Sequence, residues 1–216
     1  ASWENYFLED DPMLVKTKEF KDIFGNDNFA AVLTQCDNSF MKENLELISE
    51  LTNEMMDSIS YADKITSLTD IEFMVGNEEG MTIEQIVPDL IPTDAASLET
   101  IRRKAYMKPH IAERLVSKDG TLSWIILKLR TFPKDSVWNK GKNAVSPEVL
   151  TGNELEHIIT KDKYQKLHPK GTGLPYVTAM KMKWIGKEMP RVMGIAALVS
   201  ILILLLITRS LRGVVV

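Results

Sequence analysis

The residue types that could carry chemistry are sparse in this sequence and do not converge. His110, His157 and His168 stand more than ten residues apart with no carboxylate pattern beside them. Each reads as a surface or loop histidine. Cys36 is the one cysteine, so no internal disulfide framework and no Cys-x-x-Cys zinc or redox motif can form. Following Phe29-Ala30-Ala31-Val32-Leu33, it reads as a small apolar strand residue rather than a nucleophile. The adjacent carboxylates Asp10-Asp11 and Glu78-Glu79 fall at a predicted helix start and a predicted turn, where solvation accounts for them. Gly171-Thr172-Gly173 lacks a third glycine, and a strand rather than a helix is expected after it, with Pro175 two residues on, so no phosphate loop is expected. No serine sits in a Gly-x-Ser-x-Gly elbow. Eleven methionines are the one unusual feature of composition. Met180 and Met182 alternate on a predicted strand, with Met189 and Met193 beyond. Thioethers can bind soft Cu(I), but methionine more commonly fills irregular cores and adaptable greasy surfaces, and the second reading is preferred. The expectation is a protein with no catalytic residue, no cofactor and no metal, and so not an enzyme.

Charge and hydropathy divide the chain sharply. From Val192 to Thr208, 17 consecutive residues carry no charge and are mostly Ile, Leu, Val and Ala. All 30 acidic residues lie at or before Glu188, whereas only Arg191, Arg209 and Arg212 of the 26 basic residues lie beyond position 190. The first 190 residues are therefore more acidic than the overall net charge of −4, a poor match to nucleic acid, whose affinity rests on Lys and Arg neutralising phosphates. As a helix, the uncharged run covers about 26 Å, just short of a bilayer core of about 30 Å. Trp184 lies upstream where an interfacial aromatic belongs, and Arg191, Arg209 and Arg212 can snorkel to the interfaces. A buried core helix would keep a polar stripe; this one has none, so a membrane span is expected. Lys181, Lys183, Lys187 and Arg191 before the span outnumber Arg209 and Arg212 after it, so the positive-inside count and the acidity of the domain point in opposite directions. The amino terminus, Ala1-Ser2-Trp3-Glu4-Asn5, has no basic and apolar leader, and a domain beyond a membrane is then expected to follow an upstream segment.

The elements that would position these residues read as follows. Asp10 or Asp11 caps a helix with Pro12 at its first position and Gly25 past its end. Residues 29–36 form a strand buried on both faces. Asp37-Asn38-Ser39 offers N-cap chemistry for a helix over 40–60. Residues 64–75 read as one strand that stops at Gly76-Asn77-Glu78-Glu79-Gly80, with a short strand at 81–86. Thr93 or Asp94 caps a helix carrying Leu98, Ile101 and Ala105. Residues 121–132 form the second strong strand. Helical turns start near Ser146-Pro147 and again at Asn153, where Glu156 completes a capping-box spacing. Leu155, Ile158, Ile159 and Leu167 mark the buried face. A last strand runs over 175–182 and feeds the membrane helix. The predicted fold class is α+β, with two β-α-β units making a split βαβ, ferredoxin-like sheet with its helices on one face, followed by one transmembrane α-helix.

Several strings resemble the first extracytoplasmic loop of exporters of the RND (resistance-nodulation-division) superfamily, in its branch of predicted hydrophobe/amphiphile exporters. They are Phe7-Leu8-Glu9-Asp10-Asp11-Pro12, Phe24-Gly25-Asn26-Asp27, Ile65-Thr66-Ser67-Leu68-Thr69, Leu115-Val116-Ser117-Lys118-Asp119-Gly120 and Thr208-Arg209-Ser210-Leu211-Arg212-Gly213. The resemblance runs through nearly the whole chain in order; the loop 135–142 has no placed equivalent. It implies that residues 1–188 are an extracytoplasmic porter domain, that 189–213 hold the second transmembrane helix and its cytoplasmic edge, and that 214–216 begin the next segment. It places Arg209 and Arg212 in the cytoplasm, and the protein in the bacterial inner membrane.

Such exporters are proton-driven and built from two similar halves, so the implied partners are the lipid membrane, the remaining half of the same transporter, and amphiphilic small molecules or lipids. The implied mechanism is alternating access by rocking porter modules. The family's proton-relay carboxylates belong to later helices, so none is carried over. The matching residues Phe24, Gly25, Asp27, Ser67, Leu68, Ser117, Asp119 and Gly120 are expected to be structural. The alternative is a membrane-anchored sensor or ligand-binding ectodomain signalling through its single helix. A membrane-tethered hydrolase has no site to support it.

Overall fold

Local capping and burial signals account for most element boundaries. The computed structural model describes residues 11–24, 28–77, 80–107, 114–133 and 144–208. Helix α1 (Pro12–Phe24) starts on Asp11, whose Oδ1 accepts from the Met13 amide at 2.8 Å. Strand β1 (Phe29–Gln35) buries Ala30, Ala31, Val32 and Thr34, as a central strand must. Helix α2 (Lys42–Ser58) buries Leu45, Ile48, Leu51 and Met55 at helical spacing. Its N-cap is Met41, without a side-chain cap; the expected cap residue Asn38 instead accepts from the Phe40 amide at 2.9 Å.

The expected strand over 64–75 is two strands. β2 (Ala62–Thr66) ends where Ser67 turns the chain: its Oγ lies 3.1 Å from Thr69 Oγ1 and its carbonyl accepts from the Asp70 amide. Such local hydroxyl bonds favour a turn over continued extension. β3 (Glu72–Asn77) then pairs antiparallel with β4 (Gly80–Gln85) as a separate hairpin. Helix α3 (Ala95–Tyr106) is capped by Asp94, which accepts from the Ser97 amide at 2.8 Å. Strand β5 is Leu122–Leu129.

Helix α4 (Pro147–Ile159) starts on Ser146, which accepts from the Val149 amide, and runs unbroken through Asn153. The capping box at Asn153 and Glu156 is therefore absent. A 3-10 helix (Asp162–Leu167) follows, then the short strand β6 (Lys170–Thr172). The expected strand at 175–182 is instead the start of α5, a 35-residue helix from Leu174 to Thr208. Burial explains the outcome: Pro175 and Ala179 are buried one helical turn apart, with Tyr176, Thr178 and Met180 half-buried, while Val177, which a strand would place on the same face as Pro175 and Ala179, is exposed. Pro175 in the first turn costs no internal hydrogen bond.

The main sheet has the order β2-β5-β1-β6, every neighbouring pair antiparallel. Both strong strands are therefore interior, β1 between β5 and β6, and β5 between β2 and β1. One face carries Ala30, Val32, Ile125, Leu127 and Leu129 against α2, α4 and the 3-10 helix. The opposite face offers Trp124 and Ile126 to a second cluster holding Leu68, Ile101, Ala105 and Val116. Helix α3 packs on this second face, where Leu45 of α2 also reaches it, while the helices of the two β-α-β units, α2 and α4, share the first.

Candidate functional site

The first turns of α5 hold the domain, and its described side chains beyond them, as far as Leu204, are largely exposed. Pro175 and Ala179 press so closely on Gly152 of α4 that a Cβ there would lie 2.3 Å from the Pro175 carbonyl oxygen and 2.5 Å from the Ala179 methyl. Tyr176 donates its hydroxyl to Glu156 at 2.8 Å, and burial together with that carboxylate pushes the phenol up to about 12. Lys183 Nζ lies 3.9 Å from the same carboxylate. Glu156, expected to cap a helix, instead ties α4 to α5.

Beyond these contacts Trp184, Ile185, Met189, Val192, Met193, Ile195, Leu198, Val199 and Ile201 to Leu204 are all exposed, Trp184 at 72%. The side chains of α5 are described as far as Leu204, and among the described residues no helix is long and apolar enough to cross a membrane. The sequence carries its uncharged run four residues further, to Thr208. Of the expected interface residues, Trp184 and Arg191 lie exposed on α5, and Arg191 bonds Glu188 at 3.2 Å. Arg209 and Arg212 lie outside the described residues. Met180 and Met182, expected to alternate on a strand, lie two apart on a helix and so face roughly opposite sides; Met182, Met189 and Met193 are exposed.

The residues singled out from the five strings, where they are described, lie at a helix end, in turns and in a core. Phe24 closes α1, while Gly25 and Asp27 fall outside the described residues. Ser67 forms the turn after β2, and Leu68 is fully buried in the second cluster. Ser117, Asp119 and Gly120 build one tight loop. Asp119 accepts from the Ser117 hydroxyl and from the amide and hydroxyl of Thr121, and these bonds hold its carboxyl down to about 2. Ser117 Oγ accepts from the Leu122 amide, and its carbonyl accepts from the Tyr106 hydroxyl at 2.7 Å. The loop joins α3 to the start of β5, with Gly120 in the left-handed region at φ +74°.

Among the described residues no group of three or more His, Cys, Asp or Glu could hold a metal ion. His157 lies exposed on α4, His168 lies exposed after the 3-10 helix, and His110 is outside the described residues. Asp10, Glu78 and Glu79 are likewise outside. Cys36 sits just past β1, half-buried, its Sγ 3.6 Å from Ser39 Oγ.

A charged seam joins α2 to the 3-10 helix and was not anticipated from the sequence. Glu54 pairs with Lys161, with Lys163 at 2.9 Å, and accepts from the Tyr164 hydroxyl at 2.6 Å. Glu50 pairs with Lys163, and Glu43 with Lys166. Burial raises the Glu54 carboxyl, but the bonds from Lys161, Tyr164 and Lys163 outweigh it and bring the group to about 2. A carboxylate so firmly ionised is a tether rather than a proton donor. Its sequence signal is Glu43, Glu50 and Glu54 on one stripe of a helix, with three lysines clustered over 161–166. No protein-family model and no curated protein matches this chain.

Proposed function

We propose that residues 1–188 are the extracytoplasmic porter portion of a proton-driven, RND-type exporter of hydrophobic or amphiphilic substrates, and that the apolar part of α5 crosses the bacterial inner membrane. The observation that carries this reading is α5 itself. One unbroken helix is docked on the domain through Tyr176 and Ala179, then exposes large apolar side chains from Val192 to Leu204, and the sequence stays uncharged to Thr208. An apolar surface of that extent, lying in water, marks a lipid or protein contact. We read the sheet as the split βαβ, ferredoxin-like module of such porters. Support comes from the order β2-β5-β1-β6 and from α2 and α4 sharing one core on one face, with β3, β4 and α3 inserted between the two units.

In this reading the chain performs no catalysis and needs no cofactor. The domain moves as a body, the remaining half of the transporter supplies the facing porter module, and amphiphiles pass between them. Proton movement occurs in helices beyond this chain. Cells carrying the complete transporter should retain less of a fluorescent amphiphile than cells without it, and collapsing the proton gradient should erase the difference. Equal retention in both would refute export. Tight one-to-one binding of a small polar molecule by this chain alone would instead favour the sensor ectodomain, since such a ligand needs a pocket preformed within one domain.

A further inference from the structure

Just before its uncharged run, α5 carries a concentration of positive charge that the porter reading does not use. Lys181, Lys183, Lys187 and Arg191 stand against one carboxylate, Glu188, in a chain whose net charge is −4. Lys183, Lys187 and Arg191 recur every four residues and form one ridge along the helix. At about 1.5 Å per residue the ridge climbs roughly 12 Å and ends one residue before Val192. Trp184, three residues before Lys187 and seven before Arg191, projects on the same side. Among the described residues the basic groups are only partly matched. Lys183 stays 68% exposed beside Glu156 at 3.9 Å, and Arg191 stays 66% exposed beside Glu188.

We infer that this ridge seats the phosphates of anionic phospholipids, with Trp184 on the water-facing side of the headgroup layer. The inference rests on the membrane reading of α5 and adds to it a lipid preference. Charge agrees with it, and so does length for the two groups nearest the apolar run: the headgroup layer is about 5–7 Å thick on each side of the core, which spans the rise of about 6 Å from Arg191 to Lys187, while Trp184 and Lys183, about 10 and 12 Å from Arg191, stand on its water-facing side, from which a long basic side chain reaches the phosphates. An acidic soluble partner would match the charge but would have no use for the exposed apolar side chains that continue beyond Arg191 on the same helix. Near an anionic surface each basic residue strengthens attraction about fivefold. Because Lys183 and Arg191 each have a carboxylate nearby, the three together are expected to contribute about tenfold rather than the full product.

The full chain, reconstituted in phosphatidylcholine vesicles containing brominated phosphatidylglycerol or brominated phosphatidylcholine at equal mole fraction, provides the test. The tryptophan emission lost in W184F reports this site. Brominated phosphatidylglycerol should quench that emission more strongly, and the preference should fall about tenfold in K183Q/K187Q/R191Q and weaken with added salt. Equal quenching by the two lipids in the unmodified chain would overturn the inference while leaving the membrane reading intact. A chain that neither floats with the vesicles nor is quenched by either lipid would overturn both.

Discussion

Gly152→Ala probes the joint between the domain and α5. In the middle of an ordinary exposed helix this change stabilises by about 1 kcal/mol, because alanine has the higher helix propensity. Here the new methyl would lie 2.3 Å from the Pro175 carbonyl oxygen and 2.5 Å from the Ala179 Cβ, with Gly152 itself buried. A backbone carbonyl cannot swing aside, so α5 must shift away from α4. Overpacking of this kind costs about 1–3 kcal/mol, and the closeness of the backbone contact puts this case at the upper end. The net expectation is destabilisation by about 1–2 kcal/mol after subtracting the propensity gain. Urea unfolding of the full chain in mild detergent, followed by tryptophan emission, should show the midpoint falling by roughly 0.5–1 M for a slope of about 2 kcal/mol/M. Adding Ala179→Gly should not restore stability, since the Pro175 carbonyl remains in place. A raised midpoint in the single variant, or full recovery in the double one, would refute the close-approach argument.

Three further outcomes are expected. Glu54→Gln should destabilise by about 1–3 kcal/mol by removing the charged acceptor from Lys161, Lys163 and Tyr164; because the Glu54 carboxyl is lowered from 4.5 to about 2, its contribution is fully present above 4.5 and lost as pH falls through about 2, so the gap between wild type and variant should close over that window in acid titrations, and a gap that widened would refute it. Gly120→Ala should cost about 1–2 kcal/mol because φ +74° is unfavourable for a Cβ-bearing residue, whereas Gly120→Asn should cost less, since Asn tolerates that region; equal melting temperatures for all three would count against the loop assignment. Ending the chain after Glu188 should leave a folded domain that stays monodisperse without detergent, while the full chain requires it, and a detergent-free monomeric full chain in size-exclusion chromatography would contradict the membrane reading of α5.

Strand β1 was legible as a near-continuous apolar run of strand length, and β5 by the apolar cluster Trp124-Ile125-Ile126-Leu127 at its centre, signals that need no reference to their neighbours. The starts of α1, α3 and α4 were legible for a similar reason: Asp11, Asp94 and Ser146 cap through bonds to amides two or three residues away. The uncharged run from Val192 to Thr208 was also a property of the chain alone. What tertiary structure decided lies where the deciding partner is distant in sequence. Residues 175–182 contain an alternation compatible with a strand, and they are helical because Pro175, Tyr176 and Ala179 have α4 to pack against. Gly152 reads in isolation as a place where a helix breaks, yet it is buried inside an unbroken helix because α5 needs the space of a missing side chain. Glu156 has the spacing of a capping residue, but Tyr176 and Lys183 claim its carboxylate from another helix. Residues 64–75 are rich in β-forming types, and the burial of Leu68 in the second cluster and the hydroxyl bonds of Ser67 divide them between two sheets. Propensity and capping act over a few residues, whereas packing is settled by surfaces that meet only once the chain has folded.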